Sequence, residues 1–190
     1  MTDLTQQALD YLSRLGSNPA TAFREERVAS TVKIILRDIG VGFEQDKFGN
    51  IISKIPGTDP TANPLAVVAH KDHPGFEKTG THPDGHVATA MGGVPASSFE
   101  PGVRLQVLLP DGSRVNGKTA GKYGEVNDRQ ILVILDQPQD LEPPVPVVFD
   151  LVDYELDGDM IRMRAVDDLA GCGSILAMIA QLLSLIHNRR

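Results

Sequence analysis

Residues 65–73 read Leu-Ala-Val-Val-Ala-His-Lys-Asp-His and follow a proline at position 64. A short, continuous apolar run such as Leu65–Ala69 is typical of a central strand that is buried on both faces of a sheet. A polar cluster follows it directly. In open α/β sheets, ligands bind at the carboxyl ends of the strands. The stretch therefore predicts an α/β domain with functional side chains at the end of strand 65–69.

A second polar motif, Asp167-Asp168, lies between an alternating run, Met160–Val166, and an apolar run, Ala170–Ile186. The alternation predicts a strand with one buried face, and the apolar run predicts a helix. Two adjacent carboxylates ionise together at low cost only where a cation or strong donors compensate them. A divalent metal is one reason for the pair, and capping of the following helix by Asp168 is the other.

The two motifs complement each other chemically. An imidazole that binds a metal usually donates its other N–H group to a carboxylate or carbonyl, and Asp72 stands two residues after His70. Each motif alone is common in loops and at helix starts. Both are predicted at strand ends of one domain, so we expect His70, Asp72, Asp167 and Asp168 to form one site.

The residues before this site predict two helices and a hairpin. Apolar residues recur at helical spacing over residues 3–15 and 24–39, and Gly40 ends the second run. Residues 41–45 and 50–55 are short strand candidates on either side of a Phe-Gly-Asn turn.

The middle of the chain differs in composition, since residues 74–159 hold 11 of the 18 glycines and 9 of the 13 prolines. Its apolar runs are short and are separated by turn signals, which predicts a small all-β domain. We therefore expect an α/β domain made of residues 1–73 and 160–190, with a β-rich domain inserted at 74–159. The strand candidates of the insertion are Val103–Leu109, Arg114–Thr119, Gln130–Leu135 and Val145–Leu151.

Charge and cysteine content exclude several classes of protein. With 18 Lys and Arg against 25 Asp and Glu, the net charge is 18 − 25 = −7, and the longest basic cluster is Arg189-Arg190. We therefore expect neither nucleic acid nor an anionic membrane as a partner. One cysteine, Cys172, forms no internal disulfide, and the first residues lack the features of a secretory signal. These features predict a cytoplasmic protein.

The run Ala170–Ile186 resembles a membrane span only superficially. It has 17 residues and includes Ser174, Gln181 and Ser184, whereas a span usually needs about 20 predominantly apolar residues. We expect a helix that is buried on most sides in a layered α/β protein.

In the order of its motifs, the sequence resembles the M42 metallo-aminopeptidases of the zinc-dependent exopeptidase group. The resemblance rests on Phe48-Gly-Asn-Ile-Ile, Leu65–Phe76, Gly92-Gly93 and Asp167-Asp168-Leu-Ala-Gly-Cys. It implies an α/β fold, a zinc-exopeptidase-like sandwich domain, which is incomplete here, with an inserted small all-β lid domain. It also implies peptide substrates, a homo-oligomer and two divalent metal ions, zinc or cobalt and alternatively manganese.

The resemblance also assigns roles to single residues. His70 would bind one metal, Asp72 would be the catalytic carboxylate that orients it, and Asp167 would bridge two metals. Asp168 would hold the geometry, through a cis peptide bond with Asp167. His73 stands where the family usually has glutamate and is a variant of the residues around the ligands.

The sequence departs from the usual family pattern at two further points. Leu169 replaces a usual arginine, and no glutamate occurs between Leu156 and Arg190, where the family's general base and later ligands would have to follow. We therefore expect the N-terminal half of a dinuclear metal-dependent aminopeptidase, a fragment or truncated product that is inactive alone. The alternative is a non-catalytic truncated paralogue that binds peptides or mediates assembly.

Two further candidates are weaker. Cys172 lies in an apolar run, which favours a buried small residue over a nucleophile. His82-x-Asp84-x-His86 spans a Pro-Asp-Gly turn, which favours a hairpin over a metal site.

Overall fold

The computed structural model describes residues 4–59 and 61–187 and divides the chain into two compact units. Unit one contains the residues up to Pro19, Glu26–Lys71 and the residues from Asp153 on. Unit two contains Ala20–Glu25 and Asp72–Val152. The fold is a mixture of helix and sheet that includes a small barrel.

Unit one is built on three helices, α1 (Leu4–Gly16), α2 (Glu26–Asp38) and α3 (Val166–His187). Amphipathic spacing buries one face of α1 and α2, and α1 packs against both α2 and α3. Both predicted N-terminal helices are confirmed within two residues at each end. Gly40, at φ +76°, follows the end of α2, as expected for a glycine that ends a helix.

The strands of unit one form two antiparallel hairpins, and among the described residues this unit has no larger sheet. The first hairpin, β1 (Glu44–Gln45) with β2 (Ile51–Ile52), confirms the predicted pair in shortened form. The second joins β9 (Glu155–Asp157) to β10 (Met160–Arg162). The predicted strand over 160–166 is confirmed only for Met160–Arg162, and its predicted buried face is wrong there, because none of these three residues is buried.

The predicted central strand at Leu65–Ala69 is also wrong for the residues that the structure describes. Residues 63–74 belong to no helix or strand, and Leu65 and Val68 are 89% and 85% exposed. An apolar run forms a strand only where another strand supplies its hydrogen bonds, and none of the described strands pairs with it. The implied sandwich domain, which was expected to be incomplete, is thus represented among the described residues by three helices and two hairpins.

Unit two contains a closed antiparallel barrel in the order β3-β4-β7-β6-β5-β8. The predicted strands 103–109, 114–119, 130–135 and 145–151 are confirmed as β5 to β8, and β3 and β4 are additional. The barrel strands are β3 (Gly75–His82), β4 (Gly85–Met91), β5 (Arg104–Leu108), β6 (Arg114–Tyr123), β7 (Gln130–Leu135) and β8 (Val145–Phe149).

Aromatic packing marks the barrel core. The ring of Phe76 meets the rings of Phe99 and Phe149 edge-on, with centroids 5.7 Å and 5.9 Å apart. Aliphatic side chains from the other five barrel strands surround these rings. One long polar side chain, Lys78, is buried with them and donates hydrogen bonds to the carbonyl of Leu141 and, at 3.2 Å, to Oγ1 of Thr81.

Helix α3 is apolar but only partly buried. Leu169, Leu176 and Ile179 are buried, whereas Leu182 and Leu185 are 40% and 48% exposed. The expectation of burial on most sides is therefore wrong for its second half. By length and composition, Val166–Leu185 is the one described helix that could cross a membrane, a test that the core helices of soluble proteins also pass.

Candidate metal centre

The two polar motifs of the sequence meet in unit one. Nε2 of His70 lies 3.2 Å from Oδ1 of Asp167. The His70 side chain is 54% exposed and that of Asp167 is 95% exposed. A nitrogen and a carboxylate oxygen thus stand side by side at the surface of the unit, within reach of solutes.

Asp168 connects the two chain segments that carry this pair. Its Oδ2 accepts a hydrogen bond from the backbone amide of His70 at 3.4 Å. Its Oδ1 accepts one from the amide of Gly171 at 3.2 Å, as an N-cap residue does. Asp167 and Asp168 have non-helical backbone angles inside α3, so regular helix begins after them. The capping interpretation of Asp168 is confirmed.

The peptide bond between Asp167 and Asp168 is cis, as the resemblance implies.

Cys172 provides a third contact to the histidine segment. It lies one helical turn after Asp168, and its thiol donates a hydrogen bond to the carbonyl of His70 at 3.3 Å. Burial, with a smaller contribution from the charge of Asp168, raises the pKa of Cys172 to about 11. The thiol is therefore protonated at neutral pH and acts as a donor rather than as a nucleophile.

Gly171 allows these segments to approach closely. A Cβ atom at this position would lie 2.2 Å from Oδ1 of Asp168 and 3.1 Å from Cβ of Ala69. The first distance is far below van der Waals contact. Position 171 therefore has no room for a side chain beside the Asp168 carboxylate, and little room beside Ala69.

Two of the predicted site residues are assigned to the other unit. Asp72 and His73 belong to unit two, while His70 and Asp167 belong to unit one. His73 is 3% exposed, accepts a hydrogen bond from the amide of Ala20 at Nε2 (3.3 Å) and has Nδ1 3.0 Å from the carbonyl of Pro74. Their proposed orienting roles stay predictions.

The positioning contact of Cys172 was not predicted from the sequence. Its spacing of four residues from Asp168, which places both on one helix face, is the signal that could have indicated it. Among residues 4–59 and 61–187, no group of three or more His, Cys, Asp or Glu side chains is arranged to hold a metal ion. The His82, Asp84 and His86 motif is therefore not such a group, and the described metal-binding candidate is the His70–Asp167 pair.

No family model matches the chain. Solved structures do. An aminopeptidase from the archaeon Desulfurococcus kamchatkensis superposes with a TM-score of 0.74 at 19% identity, over 95% of this chain and 53% of its own. The TET1 peptidase of Pyrococcus horikoshii, which can assemble into a tetrahedron or a large octahedral shell, gives 0.73 at 17% identity, over 92% and 56%.

The chain has the fold of the TET aminopeptidases. The M42 resemblance of the sequence is thereby confirmed at the level of fold. An endoglucanase from Thermotoga maritima shares the TET-like fold, with a TM-score of 0.67 at 24% identity, over 90% of this chain and 54% of its own. The chain spans about half the length of these structures.

Proposed function

We propose that this chain contributes metal ligands to a dinuclear metal-dependent aminopeptidase. The observation that carries the proposal is the contact between His70 and Asp167, at 3.2 Å. The TET-like fold supports the choice of peptide hydrolysis, since the solved structures with this fold include aminopeptidases.

The chemistry of the pair fits a transition metal. Zinc takes imidazole nitrogen and carboxylate oxygen at about 2.0–2.2 Å, so two ligands of one tetrahedral ion stand about 3.3 Å apart. The observed separation of 3.2 Å between Nε2 and Oδ1 agrees with that spacing. Mixed nitrogen and oxygen donors also accept cobalt or manganese.

The residues around the pair have separate tasks in this proposal. Asp167, the more exposed ligand, has a second carboxylate oxygen with which to bridge to another ion. Asp168 and Cys172 hold the backbone of His70 from the start of α3. As the sequence resemblance implies, Asp72 would orient the imidazole, and His73 would be a variant of the residues around the ligands. When bound, two divalent ions would acidify a water and polarise the scissile carbonyl.

We assign no general base to the segment that carries Asp167. The sequence from Leu156 to Arg190 contains no glutamate. Proton transfer to the leaving amine needs a positioned acid or base. We therefore assign metal binding to the described residues and turnover to a polypeptide that adds this group.

The expected substrate is a peptide with a free amino terminus, and the expected state is a cytoplasmic homo-oligomer. The acidic net charge of −7 favours a cationic amino terminus. Assembly is proposed by analogy with the TET1 peptidase, which can assemble into a tetrahedron or a large octahedral shell.

Activity is tested on the 190-residue chain and on the product of the longest reading frame that contains it. Each is loaded with zinc or cobalt and given leucine p-nitroanilide, its N-acetyl derivative and a cello-oligosaccharide. We expect the longer product to cleave only the unblocked arylamide, with loss of activity in Asp167→Asn, and the 190-residue chain to be inactive.

Two results would contradict the assignment. Cleavage of the oligosaccharide would indicate a glycosidase instead. Arylamide cleavage that Asp167→Asn leaves unchanged would place the reaction elsewhere. A reading frame that ends at codon 190, together with protein that binds no metal, would support the non-catalytic alternative.

A further inference from the structure

A cavity of about 280 Å³ lies within unit two, apart from the residues of the metal-centre pair. It lies where the short 3-10 turn Ala96–Phe99 meets the end of β6 and the start of β7. Its chemistry is carried by six lining residues, namely Val94, Phe99, Lys122, Tyr123, Glu125 and Arg129.

The cavity has two cationic side chains without a carboxylate partner. In the part of the chain that the structure describes, neither Lys122 nor Arg129 forms an ion pair. The acidic residue of the lining, Glu125, is engaged locally: its carboxylate accepts the backbone amide of Asp128 in a capping box. The cationic charge of the lining is therefore available to an anionic ligand.

Arg129 is held in place from two directions. Its backbone is in the left-handed region at φ +51°, an uncommon conformation for a residue other than glycine. Its carbonyl accepts the amide of Ala90 at 2.9 Å, and its Nη2 donates to the carbonyl of Gly92 at 2.9 Å. A guanidinium has five N–H donors in a planar fork, so further donors remain for a ligand.

The other part of the lining is apolar. Val94 and Phe99 are 9% and 8% exposed, and both belong to the barrel core cluster. The ring of Tyr123 also lines the cavity. It packs edge-on against the ring of His82, with the two centroids 5.5 Å apart. A bare inorganic anion would leave these surfaces without a partner, whereas a ligand with an apolar group next to its charge would cover them.

We propose that this cavity binds the carboxyl-terminal end of a peptide whose last residue is apolar. The terminal carboxylate would contact Lys122 and Arg129, and the side chain would lie against Val94 and Phe99. The lining has two cationic side chains and one carboxylate, so its net charge favours a ligand with a single negative charge, such as an acylated residue, over a zwitterionic free amino acid. The proposal is independent of the proposed metal centre.

The first test compares small probes on the wild-type chain by isotope-edited NMR titration. N-acetyl-leucine should bind at least about tenfold more tightly than N-acetyl-leucinamide, which lacks the carboxylate. It should also bind more tightly than free leucine and than inorganic phosphate. The shifted resonances should include those of Arg129 and Tyr123.

Variants then assign the contacts. Arg129→Gln and Lys122→Gln should each weaken N-acetyl-leucine about tenfold and leave N-acetyl-leucinamide unchanged. Lys118→Gln is the matched control, because it removes the same charge from an exposed position of β6 outside the cavity. It should bind like the wild type.

Each remaining outcome would overturn the proposal. Equal binding of the amide would mean an apolar groove without a carboxylate site. Tighter binding of phosphate would mean an inorganic anion site, and tighter binding of leucine would mean a free amino acid site. Since the probe comparison uses wild-type protein, a variant that fails to fold does not affect it.

Discussion

The backbone amide of His70 donates a hydrogen bond of 3.4 Å to Oδ2 of Asp168. The two residues are 98 positions apart in the chain. The other oxygen of this carboxylate accepts the amide of Gly171 at 3.2 Å. Asp168 therefore fastens the histidine segment to the start of α3, and the distance between His70 and Asp167 depends on it.

Replacing Asp168 by alanine removes both acceptors and leaves two backbone amides without these partners. We expect Asp168→Ala to lower the free energy of unfolding by about 1–2 kcal/mol and to weaken zinc binding. Asp168→Asn keeps one carbonyl oxygen and should lose less of both. Urea unfolding and zinc titration measure the two effects. Equal losses for the two variants would show that charge matters and that the acceptor oxygen does not.

Replacing Gly171 by alanine tests the close approach of α3 to Ala69. The change raises helix propensity by about 1 kcal/mol, but the new Cβ would lie 2.2 Å from Oδ1 of Asp168. We expect a net loss of about 1–3 kcal/mol and weaker zinc binding, because overpacking displaces the carboxylate. The control is Gly57→Ala, since a Cβ at position 57 meets nothing within 4 Å. A Gly171→Ala variant as stable as the control would contradict the packing argument.

Lys78 tests the barrel. Its side chain is 1% exposed, and its ammonium donates to the carbonyl of Leu141 and to Thr81. We expect Lys78→Ala to lower the free energy of unfolding by about 2–4 kcal/mol, because it creates a cavity and removes the donor to a buried carbonyl. Lys118→Ala, at an exposed position of β6, should change it by at most about 0.5 kcal/mol. Calorimetry distinguishes the two, and similar melting temperatures would contradict the burial of Lys78.

Cys172 makes a pH-dependent contribution. Burial raises its pKa from 9.0 to about 11, so the fold favours the neutral thiol. The resulting stabilisation is complete below about pH 9 and is lost as the pH rises toward about 11.

The measurement is the difference in unfolding free energy between wild type and Cys172→Ala at several pH values. This difference should shrink between about pH 9 and 11, and the folded protein should react slowly with iodoacetamide at pH 8. A difference that stays constant over that range, or alkylation as fast as in urea, would contradict the burial of the thiol.

The helices and most of the barrel could be predicted because their patterns are local. Apolar residues at every third or fourth position indicate α1 and α2. Short apolar or alternating runs, separated by turn residues, indicate β5 to β8. Leu65–Ala69 could not be predicted in this way. An apolar run reports that a segment can be buried, whereas a strand also needs a neighbour to pair with, which no local pattern supplies.

The His70–Asp167 pair could be predicted because imidazole and carboxylate groups both bind metals, although the two residues are far apart in the sequence. The hydrogen bond from Cys172 to His70 could not, since a buried cysteine looks the same in sequence with or without it. The cavity at Arg129 was missed as well. Its cationic residues, Lys122 and Arg129, are brought together by a turn and a left-handed backbone that composition does not indicate.

We expect His70 and Asp167 to bind a divalent metal together. Equilibrium dialysis against zinc, followed by elemental analysis of the protein, tests it on wild type and on His70→Ala/Asp167→Ala. The matched control is His82→Ala/Asp84→Ala, which removes another histidine–aspartate pair, 3.6 Å apart. We predict stoichiometric zinc in wild type and control, with loss in the first double variant. Wild type without zinc, or equal zinc in all three proteins, would contradict the claim.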